Sequence, residues 1–382
     1  MPLRHLRRQK EEPADRRRGT AFLGKMVLDH IAGQRCVSIV GICKNAGKTT
    51  VLNKLISECE AAGISAALCS VGRDGEKNDV ITNKEKPGIL VEAGTMFATT
   101  TGLLKYCGVA AEHLLSTGTG TPIGEVVVLR ARDRGYIQIS GPSTNARLPA
   151  LTDFFLSRGA DVVLIDGAAS RKASVSPSVA GCSILCAGAD YDPDIAKVVA
   201  DTAHIAGLLC TPGLRDSRAA EILSQTGLRD VVLIDGEYNA AIYDKAGVLT
   251  KAGSITAEHW AKAAFAYIPG AVTDSVCGAA LRNRETGAGL RLVTDDVSKL
   301  MIRRDEKTLL MTRGVRFLTL DPIKLACICV NPHCTTGYPD FNKERFLRDM
   351  RSAVFDGAAV FDGADIFNGA AGTPVLDVVQ DV

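Results

Sequence analysis

Gly47-Lys48-Thr49-Thr50, reached through Gly41-Ile42-Cys43-Lys44-Asn45-Ala46, is the stretch of this chain whose residue types could do the most chemistry. A bound phosphate needs backbone N–H donors and a helix N-terminus turned toward it. It also needs a cation for the outer phosphates and a hydroxyl for Mg²⁺. Lys48 offers the cation and Thr49 the hydroxyl, with Thr50 beside it. Ala46 and Gly47 are small enough for the backbone to approach an anion closely. Lys44 is either one more phosphate contact or a solvated loop lysine, and Asn45 completes the loop.

Asp166 is the second chemical signal. It ends the apolar run Val162-Val163-Leu164-Ile165 and precedes Gly167. An acid at the carboxyl end of a parallel strand lies on the ligand side of its sheet. There it is expected to bind Mg²⁺, directly or through water, with Thr49; a helix-capping or turn role is the alternative. Asp74, in Val71-Gly72-Arg73-Asp74-Gly75-Glu76, is a further acid after a strand, able to complete a Mg²⁺ site or simply to make an Asp-Gly turn. Ser170, Arg171 and Lys172 form a polar, basic cluster suited to phosphate, a substrate anion or solvent. Gly141-Pro142-Ser143-Thr144-Asn145 could bind substrate or cap the next helix. Cys327, Cys329, His333 and Cys334 place soft ligands close together, but the spacing departs from structural zinc sites, which use C-x₂₋₄-C and a distant second pair. Buried free thiols are the expectation.

These residues need elements to position them. Cys36 to Val40 reads as the first strand. Lys48 to Ala62 reads as a helix, with Val51, Leu52, Leu55 and Ile56 on one face. Strands are expected at 65–71, 161–165 and 183–187, and helices at 148–158 and 194–204. Glu125–Arg130 and Tyr136–Ser140 suggest a strand pair about the turn Arg132-Asp133-Arg134-Gly135. Continuous apolar strands joined by helices predict an α/β fold, with a mainly parallel sheet covered on both faces. The pattern continues less regularly through 231–234, 264–272, 290–293 and 325–330. The expected organisation is a basic tail over 1–35, a P-loop nucleotide-binding domain over 36–206, and a smaller α/β domain over 207–382.

Composition narrows the function class. The chain has 382 residues, a net charge of +2 and 5% aromatic residues. Near-neutral charge gives no electrostatic case for nucleic acid or membrane. Scarce aromatics argue against stacking platforms for single strands. No run approaches the ~18 apolar residues of a membrane span. The twelve cysteines suit a reducing cytoplasm. Arg4 to Arg18 are not followed by an apolar run, so no secretory signal is expected. Gly- and Asp-rich stretches at 356–359 and 362–365 read as loops, since EF-hand spacing is missing.

The glycines of the phosphate loop, Gly41 and Gly47, have five residues between them. That spacing resembles the loop of dethiobiotin synthetase and its relatives, the class that includes partitioning ATPases and metallochaperones (the SIMIBI class). Lys44 corresponds loosely to that class's extra lysine, one place closer to Lys48. Ser38 to Asn53, Gly72 to Glu76, Gly141 to Asn145, Ile165 to Ala168, Val330-Asn331-Pro332 with Gly337-Tyr338, and Pro374 to Val378 together resemble the P-loop subunit of lysine 5,6-aminomutase reactivases. The resemblance covers about residue 36 to the end; the basic tail and the Gly/Asp-rich stretch near 356–372 depart from it. It implies a cytoplasmic ATP- and Mg²⁺-using helper. That helper would work with a MutS-like ATPase to release damaged cobalamin from the aminomutase, without binding cobalamin stably. Lys48, Asp74 and Asp166 would be its catalytic residues. Gly41, Lys44, Asn45, Ala46, Gly47, Lys48, Thr49 and Thr50 would hold nucleotide, and Thr49, Asp166 and Asp74 the metal. A homodimer is left open. The alternative is a dethiobiotin synthetase-like ATP-dependent carboxylate ligase. A GTP switch is disfavoured, because Thr82-Asn83-Lys84-Glu85 lacks the aspartate of a guanine-reading motif.

Overall fold

The computed structural model describes residues 27–71, 88–167, 179–244, 257–282, 289–356 and 373–377. Among them, nine strands form the larger sheet. In spatial order these are β18 (Val375–Asp377), β17 (Lys324–Asn331), β9 (Cys182–Gly188), β1 (Cys36–Gly41), β8 (Val162–Asp166), β2 (Ala66–Ser70), β4 (Met96–Thr100), β6 (Gly124–Ala131) and β5 (Ala111–Thr121). From β18 to β4 every pairing is parallel; β6 and β5 close that end antiparallel. The chain is therefore α/β with a large, mostly parallel sheet.

Side-chain alternation explains why this sheet is covered on both faces. In β8, Val162 and Leu164 join the core beneath helix Lys48–Ala61, with Val51, Leu52 and Leu55. Val163 and Ile165 point the other way, into the core around Phe155 of helix Leu148–Ser157. Farther along that second face, Val40, Leu185 and Val330 meet Val198 and Leu209 of helix Ile195–Leu209 and Phe346 of helix Lys343–Asp356. Fully burying each such aliphatic side chain stabilises by roughly 1.5–3 kcal/mol.

A second sheet has the order β11 (Ala240–Tyr243), β10 (Val231–Asp235), β12 (Ala263–Ile268), β14 (Arg291–Asp296) and β16 (Arg316–Asp321). Its core holds Trp260, Leu292, Leu310 and Phe317. Two short pairs complete the strands: β3 (Ile89–Val91) with β7 (Gly135–Ile137), and β13 (Val272–Thr273) with β15 (Leu300–Met301).

The sheets partition the chain differently from a single boundary near residue 207. β17 and β18 pair into the larger sheet, so the second sheet is an insertion between helix Ile195–Leu209 and β17. An apolar run such as Leu325–Val330 announces a strand but carries no label for its partner. The strand pair expected about Arg132–Gly135 is also corrected. β6 pairs with β4 and β5, whereas β7 pairs with β3. β5 went unforeseen because Ser116-Thr117-Gly118-Thr119-Gly120 reads as polar loop, yet it forms the sheet's half-exposed edge. Of the basic tail expected over 1–35, residues 1–26 lie outside the described residues, whereas Val27–His30 form a short helix whose Val27, with Ile31, is buried in the larger core, so the tail ends earlier than expected. The Gly/Asp-rich stretch 357–372 also lies outside the described residues. No helix among the described residues is long and apolar enough to cross a membrane.

Candidate functional site

Parallel strands deliver their carboxyl ends to one edge, and the candidate loop leaves that edge from β1. Gly41 lies opposite Cys186 of β9, and Ile39 opposite Asp166 of β8. The chain turns through Asn45 (φ 57°) and Gly47 (φ 95°), both left-handed, and enters the helix at Lys48. Glycine takes that backbone without strain; Asn45 is among the residue types that tolerate it. Gly47 occupies the N-cap with no side-chain cap bond. A helix start of this kind leaves its first N–H groups for an outside partner.

Lys48 folds back over the loop. Its Nζ donates to the Cys43 carbonyl at 3.4 Å. Gly41 is small for a reason: a Cβ there would sit 3.1 Å from both Lys48 Nζ and the Cys43 oxygen. Gly188, ending β9, is tighter still, since a Cβ would come within 2.7 Å of Ala46 Cα. The loop therefore rests against β9 backbone to backbone. The buried Cys186 thiol records the surrounding charges. Burial pushes its pKa up most, Lys48 pulls it back, and Cys327, Asp166 and Cys43 push it up further.

Asp166 shares a strand face with Val162 and Leu164 by alternation, the face covered by the helix that Lys48 begins. Its main-chain oxygen accepts from Val71 N at 3.1 Å and from Ser70 Oγ at 3.1 Å. The structure thus brings Gly41, Lys44, Asn45, Ala46, Gly47, Lys48, Thr49, Thr50 and Asp166 to one sheet edge. Lys44 is exposed on the loop. Gly141 abuts the end of β2, where a Cβ would lie 1.9 Å from Ser70 O, so the loop Gly141–Asn145 stands at the same edge. Asp74, Glu76, Ser170, Arg171 and Lys172 lie outside the described residues.

No protein-family model, curated protein or solved structure matches the chain.

Three residues that sequence reasoning did not assign to the site hold the loop's crest. Asn45 Nδ2 donates to Asp190 Oδ2 at 2.8 Å and to Thr335 Oγ1 at 2.9 Å. Asn331 Nδ2 donates to the Asn45 carbonyl at 3.0 Å. Thr335 N donates to Asp190 Oδ1 at 2.6 Å, and the Thr335 hydroxyl to Asp190 Oδ2. Asn331 ends β17 and Asp190 follows β9, so their places at strand ends were a usable signal once β9 was known to pair with β1 and β17 with β9.

The Asp190 carboxyl has competing influences. Desolvation raises its pKa, but hydrogen bonds from Thr335 and Asn45 outweigh that and bring it down to about 2. A depressed folded-state pKa contributes stability above the ordinary value near 3.9, lost as pH falls through the folded value. Between about pH 4 and about pH 2, wild type should therefore lose Tm faster than Asp190→Asn. Melting curves across that window check this; parallel loss in both proteins would dissociate Asp190 from loop stability.

The cysteine set considered for metal does not converge. Cys327 and Cys329 are buried in β17, their sulfurs 3.9 Å apart. His333 is exposed and faces Asp340 at 3.0 Å, and Cys334 Sγ lies 3.3 Å from the Thr336 hydroxyl. No group of three or more metal-ligating side chains occurs among the described residues. All twelve thiols are free. Burial pushes those of Cys43 and Cys59 up to about 11 and that of Cys36 up to about 12.

Proposed function

We propose that this chain is a Mg²⁺-dependent nucleoside triphosphatase of the P-loop type, with its phosphate site at Gly41–Thr49. The observation that carries this reading is the loop itself. A left-handed Gly47 starts a fourteen-residue helix beside a central parallel strand, with the Lys48 amine folded over the loop. The residues fit an anion. Small residues line the close approaches at Gly41, Ala46 and Gly188, the helix N-terminus supplies N–H groups, and Lys48 supplies charge. Lys48 would exchange its 3.4 Å carbonyl contact for a phosphate oxygen, a stronger, charge-assisted partner. Thr49 and Asp166 would hold Mg²⁺, and Mg²⁺ would neutralise charge on the outer phosphates. Asn331, Asp190 and Thr335 would keep the loop's crest in place.

The client belongs to the same proposal and is supported by the sequence resemblance. The chain would reactivate a lysine 5,6-aminomutase together with a MutS-like ATPase. Only a difference in how its ATP and ADP states bind the mutase could drive release of damaged cofactor. The test is mutase activity after inactivation, with fresh adenosylcobalamin, ATP, the MutS-like partner and this chain, each omitted in turn. Recovery should require this chain and fail with Lys48→Ala. Equal recovery without the chain would remove the reactivase reading. Rapid turnover by this chain alone on a carboxylate substrate would put the ligase reading in its place.

A further inference from the structure

A cleft remote from the phosphate loop lies between the two sheets. It opens at the amino end of β17, around Lys324, Leu325 and Ala326, with a volume of about 1110 Å³. Asn331, which touches the loop, is seven residues farther along the strand, about 23 Å at 3.3 Å per residue.

The cleft sits where the chain passes between its two sheets. Leaving the larger sheet, the chain runs through Cys210–Asp216; returning, it runs through Pro322 and Ile323. Both crossings line the cleft. The first is laid along β16: Leu214 N donates to Thr319 O at 2.8 Å, and Thr319 N to Pro212 O at 2.9 Å. Clefts between two packed units are preferred places for small ligands, and this volume is slightly above their usual range.

Its charge indicates the ligand class. Arg215, Arg291 and Lys324 line it, against Asp29 and Asp216, with His30 beside them. Asp216 accepts from Ala219 N at 2.9 Å and from the Tyr238 hydroxyl at 2.9 Å, and its charge offsets part of that of Arg291, leaving Arg215 and Lys324 as the cations with most to give. Arg291 lies over the Phe265 ring at 4.9 Å, which orients its guanidinium at the cleft wall. Among the described residues Lys324 Nζ makes one bond, to the His30 carbonyl at 3.2 Å, which leaves two of its donors for a ligand. Arg215 is exposed and makes no hydrogen bond or ion pair with any described residue. Two guanidinium forks and an ammonium around one cleft suit carboxylate or phosphate oxygens, which arginine binds in pairs.

We propose that this cleft is a second ligand site, taking a small multivalent anion, either a phosphorylated or a polycarboxylate metabolite, that bridges the two sheets. It is independent of the proposed phosphate site at Gly41–Thr49. The test is calorimetry with pyrophosphate and with citrate on the full chain carrying Lys48→Ala, which weakens the loop's own hold on phosphate. One anion should bind per chain. Arg215→Ala and Arg291→Ala, each added to that background, should weaken it about ten-fold or more, since each removes charge-assisted bonds. Arg215 is exposed and makes no hydrogen bond or ion pair with any described residue, so its variant should keep the parent Tm. Tighter pyrophosphate would identify a phosphorylated ligand, and tighter citrate a polycarboxylate. Absence of binding by both anions, or equal affinity in both arginine variants and their parent, would overturn the proposal.

Discussion

Lys48→Ala should weaken nucleotide binding ten- to hundred-fold and leave the fold intact. Among the described residues the side chain's one hydrogen bond reaches the Cys43 carbonyl at 3.4 Å, a long contact that contributes little to the folded state. Its charge would matter once phosphate arrives. A hydrogen bond to a charged partner is worth roughly 1.5–3 kcal/mol, and about 1.4 kcal/mol is a factor of ten. Calorimetric titration with Mg-ATP, beside a melting curve, separates the two effects. A folded variant with wild-type affinity would show that the loop does not grip phosphate through Lys48, and the proposed function would fall with it.

The elements around that lysine were legible because each announces itself locally. Val51, Leu52, Leu55 and Ile56 repeat at helical spacing, and the helix found, Lys48–Ala61, ends one residue before the expected limit. Val162 to Ile165 is buried on both faces, so its continuous apolar run marks a strand. The residues that steady the loop were not legible. Asn45 meets Asp190 across 145 residues and Asn331 across 286. Nothing local to Asn331 says that β17 crosses back to lie beside β9 after a whole inserted sheet. Local pattern fixes what an element is. Its neighbours depend on long-range pairing, which in β17 is encoded only by complementary burial against Cys182 to Gly188.

Asp166→Asn should separate metal chemistry from nucleotide binding. Asparagine keeps the shape of the side chain and can still accept a hydrogen bond, but it carries no charge for a divalent cation. The strand around it should be undisturbed, because the ties to Val71 and Ser70 run through the main-chain oxygen of residue 166. If Asp166 and Thr49 hold Mg²⁺, losing several kcal/mol of metal-assisted charge stabilisation should cut Mg²⁺-dependent hydrolysis on the order of a hundred-fold or more. Affinity for ATP measured without metal should change by no more than a few-fold, and relief of negative charge near the phosphates would move it toward tighter binding. Steady-state hydrolysis across a Mg²⁺ titration, with binding measured in chelator, reads both quantities on one preparation. Unchanged hydrolysis would reduce Asp166 to a turn residue at the end of β8. The metal would then have to be sought among other acids, Asp74 first.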